Sequence, residues 1–263
     1  MRNKITSSVL LLWHKMRSRK IEFPLENVKS IALMPSEIKG ETLYSLPIIE
    51  TLQKKYKLIV LLPDDQDLKY FRRLRTKIIN YPRKLGPIAI YKLKKNIKEP
   101  FDLLIDLNGV NSHVFSYLLK NPTVASIFEA PGVNITAKAG TKSITNSYKY
   151  LIDLLGFPAV KWKTKAIRKS TRKKKDDDEN IVISSDITTF YHGIQRISNE
   201  NDLRKASKLI TKKNELSAIA FFLEIPQVLL LPENEPFEPP ESIKVVRYSK
   251  KITPKLIGDC LVM

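Results

Sequence analysis

The chain has 263 residues and carries 46 Lys plus Arg against 27 Asp plus Glu, a formal net charge of +19 at neutral pH. The single cysteine, Cys260, excludes a disulfide scaffold, and eight glycines that form neither GxGxxG nor GxxxxGK exclude the Gly-rich phosphate loops. No run approaches the ~20 uncharged residues of a membrane-crossing helix. The positive field attracts nucleic acid, anionic lipid or phosphorylated sugar alike, and charge alone does not choose among them.

The first 25 residues stand apart. Ile5 to Trp13 is uncharged, and Lys15, Arg17, Arg19 and Lys20 follow it. Charges follow the apolar run and no small-residue cleavage site appears, so the segment reads as an amphipathic helix rather than a secretory leader, either on an anionic membrane surface or packed on the body of the protein. Residues 26–160 then alternate strand and helix. Ile31-Ala32-Leu33-Met34 is a strand, and Leu43, Leu46, Ile49, Leu52 and Tyr56 recur at helical spacing. Leu58 to Pro63 is a second strand, Asp64 to Arg75 a polar helix, Lys77 to Tyr81 a third strand and Leu85 to Ile97 a helix. Asp102 to Leu107 is the clearest strand, followed by the Asn108-Gly109 turn. Asn111 is placed to cap the next helix, Thr123 to Phe128 is a strand, and Gly156 and Pro158 close a helix over Tyr148 to Leu155. Strands this apolar, joined by helices, are those of a parallel sheet covered on both faces.

Residues 161–180 break the pattern. KWKTKAIRKSTRKKK, residues 161–175, holds nine basic side chains and runs into Asp176-Asp177-Asp178-Glu179. Such blocks self-repel, and the stretch reads as a solvated linker rather than a nucleic-acid patch. Residues 181–263 resume the alternation on a smaller scale. Strands are expected at Ile181 to Ile183, Gln227 to Leu231 and Ile243 to Val246. Helices are expected at Asp202 to Ile210, at Ser217 to Leu223 and after Thr253-Pro254. The fold class is therefore α/β, with two Rossmann-like domains and the second reduced. Ligands in such folds sit outside the carboxyl ends of the strands.

The turn after the first strand is SEIKGETLYSLP, residues 36–47. Gly40 allows a sharp bend, and Glu41 stands at the start of the next helix. There it is either a general base or an ordinary partner of the helix dipole. Asp106 follows three apolar residues and reads as the cap of its turn. Asn108 and Gly109 either line a ligand site or simply make the bend. No His, Cys or carboxylate grouping has metal-ligand spacing, and neither metal nor cofactor is expected.

Four segments, in this order, resemble glycosyltransferase family 9, the heptosyltransferases of lipopolysaccharide core assembly. They are Gly40-Glu41 with Leu46-Pro47, FDLLIDLNG at 101–109, NSYKYLIDLLGFP at 146–158, and the stretch from Ile197 to Asn234. The resemblance implies the GT-B arrangement of two Rossmann-like domains and inverting transfer of a sugar from a nucleotide-diphosphate donor to a lipopolysaccharide-type or other saccharide acceptor. It places the catalytic carboxylate at Glu41 and the donor diphosphate at the helix beginning near Leu216-Ser217, with Lys213 supplying charge. Gly40, Asn108 and Gly109 are set toward the acceptor. It also implies a cytoplasmic protein, peripheral at the inner face of the membrane. The family's Asp-Thr-Gly-Leu-Ser-His donor motif reads Lys213-Asn214-Glu215-Leu216-Ser217-Ala218 here, so a relative without catalysis, binding an envelope saccharide or a protein partner, is the rival expectation. A basic nucleic-acid binder is the third, and the fold pattern does little for it.

Overall fold

The structure is a computed structural model that describes residues 25, 27–38, 40–66, 69–120, 122–138, 143–167, 180–189, 191–192, 194–249 and 251–263. The N-terminal amphipathic segment, apart from Leu25, and residues 168–179 of the charged stretch lie outside the described residues. Two compact units emerge. The first gathers the described residues within 1–37, 45–141 and 146–161, and the second those within 38–44, 142–145 and 162–263.

In the first unit a six-stranded sheet runs in the order β3-β2-β1-β4-β5-β6, every neighbouring pair parallel. Its strands are β1 Ser30–Met34, β2 Lys57–Pro63, β3 Lys77–Tyr81, β4 Leu103–Asp106, β5 Thr123–Ser126 and β6 Ile135–Thr136. Helices α1 Leu46–Leu52, α2 Pro87–Asn96 and α3 Ser112–Leu118 join them, and α4 Ile144–Leu154, all but its first two residues in this unit, follows β6. Ile31, Ala32, Leu33 and Met34 are all fully buried, although their side chains alternate between the two faces. A strand covered on both faces must be apolar throughout, which is why β1 and β2 read as unbroken hydrophobic runs. On one face Ala32, Met34, Ile59, Leu61 and Leu104 pack with Leu93 and Ile97 of the α2 region and Phe115 of α3. Tyr81 meets Phe115 edge to face at 4.8 Å. At the start of β4, Asp102 accepts from the Lys29 and Ser30 amides, both at 2.9 Å, and from the Ser30 hydroxyl. Burial alone would push that carboxyl up, but these hydrogen bonds outweigh it and hold it below the usual carboxylate range.

The second unit has a five-stranded parallel sheet in the order β11-β10-β9-β7-β8. The strands are β7 Ile181–Ser184, β8 Gln195–Ile197, β9 Lys208–Lys212, β10 Gln227–Pro232 and β11 Lys244–Tyr248. The helices are α5 Glu200–Leu203, α6 Glu215–Leu223 and α7 Pro254–Val262. Ile183, Ile210, Val228 and Leu230 pack with Ile257 and Cys260 of α7 on one face, and Leu229, Leu231 and Ile243 pack with Phe221 on the other.

Several elements differ from the sequence expectation. Among the described residues of 64–75 there is no α-helix, only a 3-10 turn at Phe71–Arg73. That stretch holds Leu74 and Phe71 but no apolar stripe long enough to hold a helix on the sheet. The long helix expected from Leu43 to Tyr56 is a 3-10 turn, Glu41–Ser45, followed by α1, because Pro47 can occupy only the first turn of an α-helix. The helix expected over Asp202 to Ile210 ends at Leu203, and its second half is β9, fully buried at Leu209 and Ile210 beside β7 and β10. The short polar strands β6 and β8 carried no period-2 signal. Ala166 and Ile167, within the stretch expected to be solvated, are buried, and Lys163 pairs with Glu224 at 3.4 Å. Among the described residues of 185–194 no helix connects β7 to β8.

Phe115 fills the centre of the first unit's core, so Phe115→Ala is expected to cost about 3–5 kcal/mol. Urea unfolding of the full chain would show this as a lower midpoint at unchanged slope.

Candidate functional site

Each unit has one place where the strand order reverses, between β1 and β4 in the first and between β7 and β9 in the second. There two neighbouring loops leave the sheet in opposite directions and open a crevice at the carboxyl ends of the strands.

In the second unit the chain leaves β9 through Lys213 and Asn214 into α6. Asn214 is extended, and its side-chain oxygen accepts from the Ser217 N–H at 3.0 Å, a conventional N-cap. Its amide also donates to the Asp186 carboxylate at 2.9 Å. Asp186 in turn takes the Ser184 hydroxyl, while its backbone carbonyl accepts from Lys212 Nζ at 2.9 Å. Residues 38–44 pack in this unit. Gly40 has φ +85°, and a Cβ there would lie 2.4 Å from the Asn214 carbonyl oxygen, so both the handedness and the close approach demand glycine. Tyr44 lies 5.5 Å from Phe221 and 5.9 Å from Phe222, ring centre to ring centre. Burial, and next the charge of Glu41, push its phenol well above the ordinary value.

These contacts bring Glu41 Oε1 to 2.7 Å from Lys213 Nζ, which also lies 3.2 Å from Glu235 Oε1 and 4.4 Å from the centre of the Phe237 ring. The Lys213 and Glu41 side chains are only 18% and 11% exposed, so solvent screens the pair weakly. Arg247 steadies the loop carrying Glu235 by donating to the Pro232 and Glu235 carbonyls at 3.2 and 2.8 Å. Leu216 and Ser217 are buried, and the Ser217 hydroxyl donates to Gln227 at 3.0 Å.

In the first unit Asp106 ends β4 fully buried. One oxygen accepts from the Asn108 and Gly109 amides at 2.8 and 2.9 Å, and the other from the Ser112 hydroxyl. Burial pushes its carboxyl up to about 6, against the pull of these three bonds. Gly109 has φ +72°, where a Cβ would strike Phe128 at 2.9 Å. Asn108 Oδ1 accepts from the Glu37 amide at 3.2 Å, while its Nδ2 is buried with no partner among the described residues. Glu37 is held from several sides. Its carbonyl accepts from Gln66 and Arg83 at 2.7 and 2.9 Å, and its carboxylate accepts from the Tyr81 hydroxyl at 3.0 Å.

Gly40, Glu41, Lys213, Leu216 and Ser217 thus gather in the second unit, and Asn108 and Gly109 lie in the first. Sequence reading missed Glu37, Asp186 and Glu235. All three stand within three residues of a strand's carboxyl end, the one signal that could have found them.

No family model and no curated protein sequence matches the chain. Solved structures do. E. coli heptosyltransferase WaaC with ADP-2-deoxy-2-fluoro heptose superposes with a TM-score of 0.64 at 10% identity, over 89% of this chain and 99% of that one. The chain has the heptosyltransferase fold. E. coli ADP-heptose lps heptosyltransferase II follows with TM-score 0.56 at 12% identity, over 89% and 97% of the two chains. A glycosyl transferase family 9 protein from Veillonella parvula DSM 2008 gives 0.55 at 12%, over 89% and 88%. Likenesses at these identities establish the heptosyltransferase architecture of two α/β Rossmann-like units and leave the chemistry to the site.

Two outcomes test the local architecture. Gly40→Ala adds left-handed strain and a clash with backbone, and is expected to cost about 1–3 kcal/mol or more in urea unfolding. For Asp106, the unfolded carboxyl ionises near 3.8 and the folded one near 6, so the folded state binds the extra proton between them. Stability should therefore fall as pH rises from about 4 to 6, by up to about 3 kcal/mol, and level off above. Asp106→Asn, which can still accept both amides and donate to Ser112, should abolish that slope in melting curves recorded across pH.

Proposed function

We propose that the protein is a glycosyltransferase that moves a sugar from a nucleotide-diphosphate donor to a saccharide acceptor, lipopolysaccharide-type in the fullest form of this reading. The supporting observation is the Glu41–Lys213 pair: a nearly buried carboxylate beside the cation that precedes the Asn214 cap of α6, in a chain with the heptosyltransferase fold. Two of the similar structures, both of E. coli heptosyltransferase WaaC, hold ADP-2-deoxy-2-fluoro heptose and ADP, which favours a nucleotide-diphosphate sugar here.

In this reading Glu41 takes the proton of the acceptor hydroxyl. The oxygen attacks the anomeric carbon from the side opposite the diphosphate, the bond to the diphosphate oxygen breaks, and configuration inverts. The diphosphate sits at the start of α6, where the helix dipole and first-turn N–H groups near Leu216 and Ser217 favour an anion. Lys213 exchanges Glu41 for the incoming diphosphate, which leaves the carboxylate able to accept a proton. A phosphate oxygen takes the Ser217 N–H in place of the Asn214 cap. The buried Asn108 Nδ2, which has no partner among the described residues, is a donor suited to an acceptor hydroxyl.

A second reading has its own observation. Lys213 is already shared by two carboxylates and the Ser217 N–H is already capped, which suits a non-catalytic relative that binds a saccharide or a partner.

Thermal melting with ADP-heptose, and with a panel of other nucleotide-diphosphate sugars, separates them. Micromolar binding would stabilise the protein by about 2.7 kcal/mol at a hundredfold excess over Kd. Glu41→Gln should then keep that stabilisation while turnover falls about 10²–10⁴-fold. Absence of any stabilisation across the panel would leave the non-catalytic reading in place.

A further inference from the structure

The +19 charge is not spread evenly. From Leu68 to Lys98, the 31 residues between Asp67 and Glu99, there are eleven Lys and Arg and no Asp or Glu; all eleven basic side chains are exposed, and one of them, Arg83, pairs with Asp65. This stretch comprises β3, the edge strand of the first unit's sheet, with the segments on either side of it, and α2. Helix α2 packs through Ile90 and Leu93, and Ile97 just beyond its end continues the same buried face. On the opposite side Ile88, Tyr91, Lys92 and Lys95 fall at i, i+3, i+4 and i+7, within an arc of about 100° at 100° per residue. Ile88 is 74% exposed and Tyr91 60% exposed. The Lys95 ammonium lies over the Tyr91 ring, 4.8 Å from its centre, so the cation and the aromatic share one stripe. Lys98 extends the basic margin past the end of the helix.

We propose that this outer face of α2 docks the protein on an anionic phospholipid surface. Ile88 and Tyr91 enter the headgroup region while the lysines around them contact lipid phosphates. Single exposed apolar side chains are ordinary, but here two large ones share a stripe with lysines in a stretch free of acidic residues. That combination is what an interfacial helix needs: apolar area to partition, and charge to hold it at a negative leaflet. An aliphatic Ile at the centre gives a nucleic-acid backbone nothing to bond, which favours the lipid surface over a polynucleotide.

The proposal is independent of glycosyl transfer, because vesicle binding needs neither donor nor turnover. The test is flotation of the full chain with vesicles of phosphatidylcholine alone and of phosphatidylcholine with phosphatidylglycerol. The parent protein should bind only the anionic vesicles. The double variant Lys92→Glu, Lys95→Glu should bind at least about tenfold more weakly. Lys92→Arg with Lys95→Arg should restore binding. Ile88→Ser with Tyr91→Ser should weaken it even at a salt concentration that screens the lysines. All four positions are exposed, and unchanged melting temperatures would establish that the variants fold. Equal flotation of parent and charge-reversed protein would overturn the proposal and pass the role to residues 1–24 or the basic run at 161–175. Equal binding to both vesicle types, or displacement of the vesicles by duplex RNA with no residual lipid binding, would overturn it too.

Discussion

One lysine between two carboxylates organises the second unit. Lys213 holds Glu41 at 2.7 Å and Glu235 at 3.2 Å, and through them it fixes residues 38–44 and the loop after β10 against the start of α6. A shielded pair of this kind is stable only when its surroundings are rigid, since each charge would lose heavily if its partner withdrew. The surroundings supply that rigidity. Gly40 lies against the Asn214 backbone, Tyr44 lies against Phe221 and Phe222, and Arg247 grips the carbonyls beside Glu235. In the proposed reaction Lys213 would have to leave Glu41 before that carboxylate could take a proton.

The two sheets repeat one topological device. Each places its polar side chains where the strand order reverses, because only there do the loops part widely enough for groups to be hydrated or to meet a ligand. The first unit spends Asp106 on its own turn and leaves Asn108 Nδ2 without a partner among the described residues. The second ties Ser184, Asp186, Lys212 and Asn214 into one network. Asp106 shows how such ends differ from solvated carboxylates: full burial raises its affinity for a proton although three donors face it. The exposed basic side chains follow a different logic. They lie along the edge of the first sheet and on α2, in a stretch without acidic residues, although Arg83 pairs with Asp65 just before it.

The sequence by itself determined the alternation of buried strands and helices, because a strand covered on both faces must be apolar at every position, as Ile31 to Met34 and Leu58 to Leu62 are. It also determined the bends at Gly40, Gly109 and Gly156, which only glycine adopts at low cost, whereas the place of Glu41 after the first strand left its role open and only the family resemblance singled it out. Tertiary structure decided the rest. Leu209 and Ile210 suit helix and strand alike until β7 and β10 offer them hydrogen-bonding edges, and the short strands β6 and β8 exist only because a neighbour pairs with them. The partnership of Glu41 with Lys213 joins residues far apart in the chain, and no local spacing encodes it. The same holds for Glu37, whose carboxylate meets Tyr81 only once β1 and β3 are placed in one sheet. Local preference is written residue by residue, whereas a salt bridge or a sheet edge is a property of two distant segments brought together by burial.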